Sequence, residues 1–223
     1  MEKKSTEAKR LFFHVTPAVI AIICVQIIGF DRLVVWSLLA VVAATILSLD
    51  CIRFICYRIS QKTKNLDTPF WRWFLHKEQW LVDSHILRHE ERVSPSSMMT
   101  FSIGLVVTYF FFPEYIALPA LIVLSLGDPA ARIFGINSKG YRFSNGKSLA
   151  GTTGFVAVSI IGLMIFNFLH IWWPMYPRCF SSEQIVFAQS FGVVSGAGIE
   201  LVFRRLDNML IAIATAIAMS LFL

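Results

Sequence analysis

The stretch Phe155-Val-Ala-Val-Ser-Ile-Ile-Gly-Leu-Met-Ile-Phe-Asn-Phe-Leu-His-Ile-Trp-Trp173 contains no Asp, Glu, Lys or Arg. About 20 predominantly apolar residues in a helix are enough to cross the hydrocarbon core of a bilayer. Three further stretches, 15–30, 33–49 and 209–223, also lack these charged residues. The repetition of such stretches predicts a protein that crosses the membrane several times.

The composition of the whole chain supports this class. Of the 223 residues, 56% are apolar and only 15% are charged, against roughly 25% charged in ordinary soluble proteins. We therefore exclude a soluble globule and predict a single all-α domain over residues 1–223, a polytopic bundle of about seven spans. The predicted spans are 11–29, 33–50, 96–112, 115–136, 154–173, 185–203 and 208–223.

The distribution of basic residues predicts the orientation in the membrane. The net charge is +6, and 18 of the 20 Lys and Arg residues lie in the N-terminal tail and alternate loops. Cytoplasmic loops of membrane proteins carry such an excess. We therefore expect a cytoplasmic N-terminus, cytoplasmic chemistry and an external C-terminus. The basic excess indicates a membrane partner and no nucleic acid, while the oligomeric state is left open.

Residues 67–82 have the pattern of a helix that lies along the membrane surface. Thr68 and Pro69 suit the N-cap and the first helical position. The apolar and aromatic side chains from Phe70 to Leu81 recur at helical spacing on one face, as in helices that bind the interface. The sequence thus predicts a cytoplasmic interfacial helix, as a packing anchor or as an entry gate for lipid.

The fourth predicted span contains Gly127-Asp128-Pro129. Glycine commonly ends a helix, Asp is a good N-cap, and Pro is favoured at the next helix's first position. We therefore predict an interrupted helix here, with a half-helix starting at Pro129 beside the Asp128 carboxylate. Broken helices at membrane depth are tolerated around cavities, so the break is a candidate site.

The loop Asn145-Gly-Lys-Ser-Leu-Ala-Gly-Thr-Thr-Gly154 is rich in glycine and hydroxyl residues and carries Lys147. It lacks the first glycine of a Walker A motif, because Tyr141 stands there. Glycines, one lysine and a following helix N-terminus still suit anion binding. The loop is predicted to be either a phosphate site or a basic loop that sets topology.

Near the C-terminus, Glu200, Arg204 and Asp207 fall on one helical face if a single helix continues through them. Ionisable residues at membrane depth are functional candidates. An intrahelical pair between Glu200 and Arg204 is the structural alternative.

Taken together, these segments resemble the membrane family of phytol kinase, dolichol kinase and CTP-dependent diacylglycerol kinase, which is distantly similar to CDP-diacylglycerol synthases. The resemblance covers most of the chain except about residues 60–85. The matching segments are Glu7 to Arg10 with His14, Arg88 to Arg92 before Ser97 and Thr100, Leu126 to Gly135, Gly146 to Gly151, and Glu200 with Asp207-Asn208. The family usually has Glu before the glycine at 151, and this chain has Ala150.

The resemblance implies transfer of a phosphoryl group from CTP to the hydroxyl of a lipid alcohol, with Mg²⁺ as cofactor. Asp128 and Asp207 are the implied metal ligands. Because Ala150 replaces a carboxylate, the resemblance does not assign the general base. The implied catalytic residues are Asp128, Lys147, Asp207, Arg132 and Glu200.

The same resemblance implies residues that contact the substrates. The implied nucleotide-binding residues are Gly127, Gly146, Lys147, Ser148, Gly151, Thr152 and Asn208. The implied contacts to lipid or phosphate are Arg10, His14 and Arg92. Two other functions remain open: a CTP-dependent cytidylyltransferase that acts on a lipid phosphate, and a non-enzymatic lipid-binding or transport protein.

Overall fold

The structure of the chain is a computed structural model, and it describes residues 15–16, 19–20, 23–24, 28, 31–62, 68–83, 94–170, 177, 179–203 and 206–223. Regular structure in these ranges is helical, apart from an isolated β-bridge between Arg142 and Ser148. The helices are α1 (Arg32–Lys62), α2 (Pro69–Asp83), α3 (Ser97–Phe111), α4 (Glu114–Ile122), a π-helical turn (Val123–Gly127), α5 (Asp128–Asn137), α6 (Leu149–His170), α7 (Ser182–Val202) and α8 (Asp207–Ser220). The predicted all-α class is confirmed for this part of the chain.

Several of these helices suit a membrane protein. In the described ranges, four segments are long and apolar enough to cross a bilayer: Arg32–Gln61, Glu114–Asn137, Leu149–Leu169 and Ser182–Val202. The helices α3 and α8 are apolar but have only 15 and 14 residues, about 22 Å in length against a hydrocarbon core of about 30 Å. Most of the first predicted span, 11–29, lies outside the described residues. The prediction of seven spans therefore stays a prediction.

The segment from α4 to α5 is the centre of the bundle, because most of its residues are buried. Parts of α3, α6, α7 and α8 pack around it. Fully buried apolar side chains from these helices include Tyr109, Leu118, Leu121, Phe155, Val193, Ile211 and Met219. The packing of these buried side chains fixes the relative positions of the helix ends, where the polar side chains lie.

The predicted break into two half-helices at residues 127–129 is wrong, because the helical backbone continues through these residues. Gly127 and Asp128 both have right-handed helical backbone angles, and no side chain caps a new helix there. The chain instead passes through the wider π-helical turn Val123–Gly127 and continues into α5. Pro129 lacks an N–H group and clashes with a regular preceding turn, and π turns are irregularities within otherwise continuous helices. Asp128 is therefore not an N-cap.

Helix α1 continues beyond the end of the predicted span 33–50, and Arg53, the first basic residue of this continuation, has partners within the protein. Arg53 is buried and forms an ion pair with Asp50 at 2.7 Å. Arg53 also donates to the carbonyl of Ser94 at 3.1 Å, and Asp50 Oδ2 accepts the N–H of Ser96 at 3.0 Å. These bonds attach α1 to the N-terminal end of α3.

The opposite end of α3 is held by Arg32. Its guanidinium donates to the backbone carbonyls of Tyr109, Phe110 and Phe112. Carbonyl groups at a helix C-terminus lack partners within the helix, so this arginine satisfies them. The two ends of α3 are thus held by opposite ends of the apolar part of α1.

The predicted helix at 67–82 is confirmed as α2. The hydroxyl of Thr68 accepts the N–H of Trp71 at 3.4 Å, and its carbonyl accepts the N–H of Arg72 at 3.1 Å. Phe70 and Trp73 are more than half exposed. The placement of this helix along a membrane surface stays a prediction.

Candidate active site

A short hairpin between α5 and α6 presents Lys147. The N–H of Phe143 donates to the carbonyl of Lys147 at 2.8 Å, and the N–H of Gly146 donates to the carbonyl of Phe143 at 2.9 Å. Gly146 has φ +84°, and a left-handed residue of this kind completes a three-residue hairpin loop. Glycine adopts this conformation without the steric cost of a Cβ. The local role of Gly146 is therefore to shape the turn that precedes Lys147.

Asn145 attaches this hairpin to the end of α7. Its side-chain oxygen accepts the N–H of Lys147 at 3.1 Å, and its side-chain amide donates to the carbonyl of Leu201. The carbonyls near a helix C-terminus need such external donors. We did not single out Asn145 from the sequence, although Asn-Gly is a strong turn signal.

Lys147 lies between two carboxylates from different helices. Its Nζ is 2.7 Å from Glu200 Oε1 and 3.1 Å from Asp207 Oδ2. The side chain of Lys147 is 21% exposed, against 5% for Glu200 and 15% for Asp207. In the sequence, Lys147 is more than 50 positions away from either carboxylate. Lys147 thus connects the beginning of α6 to the end of α7 and the beginning of α8.

Glu200 and Asp207 lie on two separate helices, as the predicted boundaries 185–203 and 208–223 imply, so they share no helical face. Helix α7 ends at Val202, Phe203 is extended with φ −94° and ψ 146°, and α8 begins at Asp207. Glu200 pairs with Lys147 instead, and Arg204 lies outside the described residues. The two carboxylates nevertheless meet, because both contact the same lysine.

Asp128 adds a third carboxylate from the start of α5. It is close enough to Glu200 and to Asp207 for its negative charge to act on both. With all three carboxylates ionised, one lysine neutralises only part of the charge. An excess of negative charge in a partly buried site attracts cations.

The charge of Lys147 is stabilised by this arrangement. Burial lowers the pKa of its ammonium group, but Asp207 and Glu200 more than offset this, and the net direction of the pKa is upward. A raised folded-state pKa means that the stability from these ion pairs is present at neutral pH. It is lost only as the pH rises through that raised value.

The residues of this site fit a divalent cation that also binds phosphate. Glu200 Oε2 is buried and has no hydrogen-bond donor in the described structure. In the described ranges, no group of three His, Cys, Asp or Glu residues has the geometry to hold an ion alone. Mg²⁺ is usually bound by one or two carboxylates together with substrate phosphates and water. A divalent cation at Asp128, Glu200 and Asp207 would therefore need further ligands, such as phosphate oxygens or water, to complete its coordination.

Three further residues with an implied nucleotide role have local partners. The hydroxyl of Ser148 accepts the N–H of Gly151 at 3.0 Å, as an N-cap of α6 does. The N–H of Thr152 donates to the carbonyl of Ser148 at 3.1 Å. A Cβ on Gly151 would lie 2.6 Å from the carbonyl oxygen of Ala131. Close packing of α6 on α5 thus requires this glycine, and its contact with nucleotide stays a prediction.

The remaining implied residues are distributed as follows. Asn208 donates its side-chain amide to the carbonyl of Ser97 at 3.1 Å, which connects α8 to the start of α3. Gly127 is buried in the π-helical turn, and Arg132 is half-buried on α5 one turn after Asp128. Arg10, His14 and Arg92 lie outside the described residues. The described site therefore consists of Asp128, Lys147, Glu200 and Asp207, held by Asn145 and Asn208.

Comparison with known proteins gives a limited result. No family model matches the chain, and no solved structure matches it. The chain is similar to the uncharacterized protein RP860 of Rickettsia prowazekii (strain Madrid E), with 26% identity over 167 residues. The similarity covers 73% of this chain and 72% of that protein. The name of this relative states no activity.

Proposed function

We propose that the chain is a membrane lipid kinase that transfers the γ-phosphate of CTP to the hydroxyl of a lipid alcohol. The observation that carries this proposal is the meeting of Lys147 with Glu200 and Asp207, with Asp128 close by, at the ends of apolar helices. Phosphoryl transfer depends mainly on positioning and on neutralising charge. The Lys147 ammonium group, the three carboxylates and the apolar helices that carry them meet these requirements together.

Each residue of the site has a role in this proposal. Asp128 and Asp207 would hold Mg²⁺, which supplies neutralisation of the phosphate charge when it is bound. Lys147 binds the phosphates and stabilises the charge that develops during transfer. Glu200 orients the Lys147 ammonium through their 2.7 Å contact. Asn145 fixes the hairpin and Asn208 fixes the start of α8, so both are positioning residues.

The position of the site suits a substrate that stays in the bilayer. Lys147 precedes α6, Glu200 lies in the last turn of α7, and Asp207 is the first residue of α8. These helix ends adjoin long apolar surfaces on α6 and α7, where Ile161, Met164 and Val194 are exposed. A lipid alcohol with its hydroxyl near the membrane surface and its chains in the bilayer would reach such a site.

The decisive experiment follows the label of the nucleotide. Purified protein in mixed lipid micelles is incubated with Mg²⁺ and CTP that carries label at either the α- or the γ-phosphate. We expect label in the lipid fraction only from the γ-position. Label from the α-position would show a cytidylyltransferase instead. No label from either position would support a protein that binds or transports lipid without reaction.

We further propose seven spans, with the N-terminus and the site in the cytoplasm and the C-terminus outside. This orientation places 18 of the 20 basic residues on the cytoplasmic side. A reporter enzyme fused after Leu223 is expected to be active only outside the cytoplasm. A cytoplasmic signal from this fusion would require an even number of spans, and the model of seven would be withdrawn.

A further inference from the structure

The hairpin that carries Lys147 has two distinct faces. Arg142 and Ser148 oppose each other in the β-bridge. Arg142 donates to the carbonyl of Gly135 at 3.1 Å. The hydroxyl of Ser148 also lies beside Gly135, 2.9 Å from where a Cβ would stand. Both side chains therefore point to the face that packs against α5.

The other face of the hairpin carries Lys147 together with two aromatic residues. Successive side chains on paired strands point to opposite faces. The N–H of Phe143 donates to the carbonyl of Lys147 at 2.8 Å, and the N–H of Leu149 donates to the carbonyl of Tyr141 at 3.1 Å. Phe143 is thus opposite Lys147, and Tyr141 is opposite Leu149. Tyr141 and Lys147 are diagonal neighbours on one face, with Cα atoms about 7–8 Å apart.

The two aromatic rings form a supported but open surface. Their centroids are 5.2 Å apart and the ring planes are nearly perpendicular at 88°. Tyr141 is 67% exposed, whereas Phe143 is partly buried. In a perpendicular pair, at most one face of the tyrosine ring is covered by its neighbour. The other face is available to a flat ligand.

We propose that Tyr141, supported by Phe143, is the platform on which the base of the nucleotide stacks. The inference rests on the proposed function, which brings the phosphates of the nucleotide to Lys147. Tyr141 and Lys147 lie on the same face of the hairpin, so a nucleotide whose phosphates contact Lys147 would extend along the face that carries the tyrosine ring. Aromatic rings beside basic side chains are a recurring arrangement for nucleotide units, because every base has a π face.

This platform has a consequence for nucleotide selection. Stacking on an aromatic ring tolerates different bases, so Tyr141 contributes affinity for CTP and ATP alike. A preference for CTP must come from other groups that hydrogen-bond to the edge of the base. Loss of the ring should therefore weaken all nucleoside triphosphates by similar factors.

The test compares Tyr141→Leu with Tyr141→Phe, which keeps the ring and removes only the hydroxyl. We expect Tyr141→Leu to raise the KM for CTP roughly 5- to 150-fold, the range expected for one lost base stack. The kcat should change by less than about twofold, because the ring does not contact the transferred phosphate. Inhibition by inorganic tripolyphosphate, a probe with no base, should be unchanged. Tyr141→Phe should behave as the wild type in all three measurements.

The outcomes separate this inference from the proposed function. An active enzyme in which Tyr141→Leu leaves the KM for CTP unchanged overturns the platform and leaves the kinase proposal standing. Equal increases for Tyr141→Leu and Tyr141→Phe also overturn it, because the hydroxyl would then be the contact. If the wild type transfers no label, CTP binding is measured by calorimetry in micelles. Binding that Tyr141→Leu weakens still supports the platform, whereas equal or absent binding overturns it.

Discussion

Replacement of Lys147 by methionine is expected to lower kcat/KM for CTP roughly 30- to 1,000-fold, since one charge-assisted contact to the transition state is worth about 2–4 kcal/mol. Lys147 lies between Glu200 and Asp207 at 2.7 and 3.1 Å. Methionine preserves most of the volume but leaves both carboxylates without their cation. The measurement is the initial rate of label transfer from γ-labelled CTP over a range of nucleotide concentrations.

The same variant is expected to lose stability. Removal of one partner from a buried ion pair lowers the free energy of unfolding by about 3–5 kcal/mol. Because Lys147 is partly exposed, we expect a loss near or below the lower end of this range. Thermal unfolding in micelles measures it. The double variant Lys147→Met with Glu200→Gln should recover part of the lost stability and none of the activity. This separates the structural role of the ion pair from its role in transfer.

The control for Lys147 is Lys139→Met. Lys139 is exposed on the segment that leads into the same hairpin, and it should tolerate the change with less than about twofold loss of rate, as exposed charges generally do. Equal and small effects at Lys139 and Lys147 would show that both only set topology. The assignment of the nucleotide site to this hairpin would then be withdrawn.

Asp128→Asn is expected to lower the Mg²⁺-dependent rate on the order of 1,000-fold or more, because a bound metal supplies several kcal/mol of charge stabilisation. The folded protein should be at least as stable as the wild type. The negative charge of Asp128 acts on Glu200 and Asp207, and its removal relieves this repulsion. Rates at increasing Mg²⁺ concentration and the unfolding temperature are measured on the same preparation.

A drop in activity with unchanged or higher stability is the combination that a purely structural carboxylate would not produce. Asp31→Asn is the matched control, since Asp31 is exposed and lies near the end of α3 that is remote from Asn208. It should leave both measurements unchanged. Near-normal Mg²⁺-dependent turnover of Asp128→Asn would remove Asp128 from the set of metal ligands.

The sequence predicted the helices better than it predicted how they end. The apolar stretches placed α3, α7 and α8 within about three residues of their observed ends, because burial of apolar side chains determines them. Helix α6 begins at Leu149 and not at residue 154, since Ser148 caps it. Helix α1 continues to Lys62, past the apolar stretch from which the span is predicted. A polar contact such as the Ser148 cap is not contained in the apolar periodicity.

The site was predicted by residue type and not by geometry. Asp128, Lys147, Glu200 and Asp207 lie in separate motifs of the sequence, and only the family resemblance implies that they share a site. In the structure Lys147 contacts Glu200 and Asp207, and the charge of Asp128 acts on both carboxylates. Their contacts join parts of the chain more than 50 residues apart, so only the packing of α5, α6, α7 and α8 determines them. The end of α7 at Val202 agrees with the end of the predicted span at residue 203, where the apolar pattern stops at Arg204 and Arg205.

The π-helical turn at Val123–Gly127 determines the directions in which the later side chains of the central helix point. Such a turn corresponds to one residue more than an α-helical turn, and each residue rotates a helix by about 100°. In a helix one residue shorter, the side chain of residue 128 would point about 100° away from its present direction. The buried face of α4 would keep its packing, but the carboxylate would leave the neighbourhood of Glu200 and Asp207. One additional residue thus sets the phase between the apolar surface that packs the bundle and the carboxylate that completes its polar cluster.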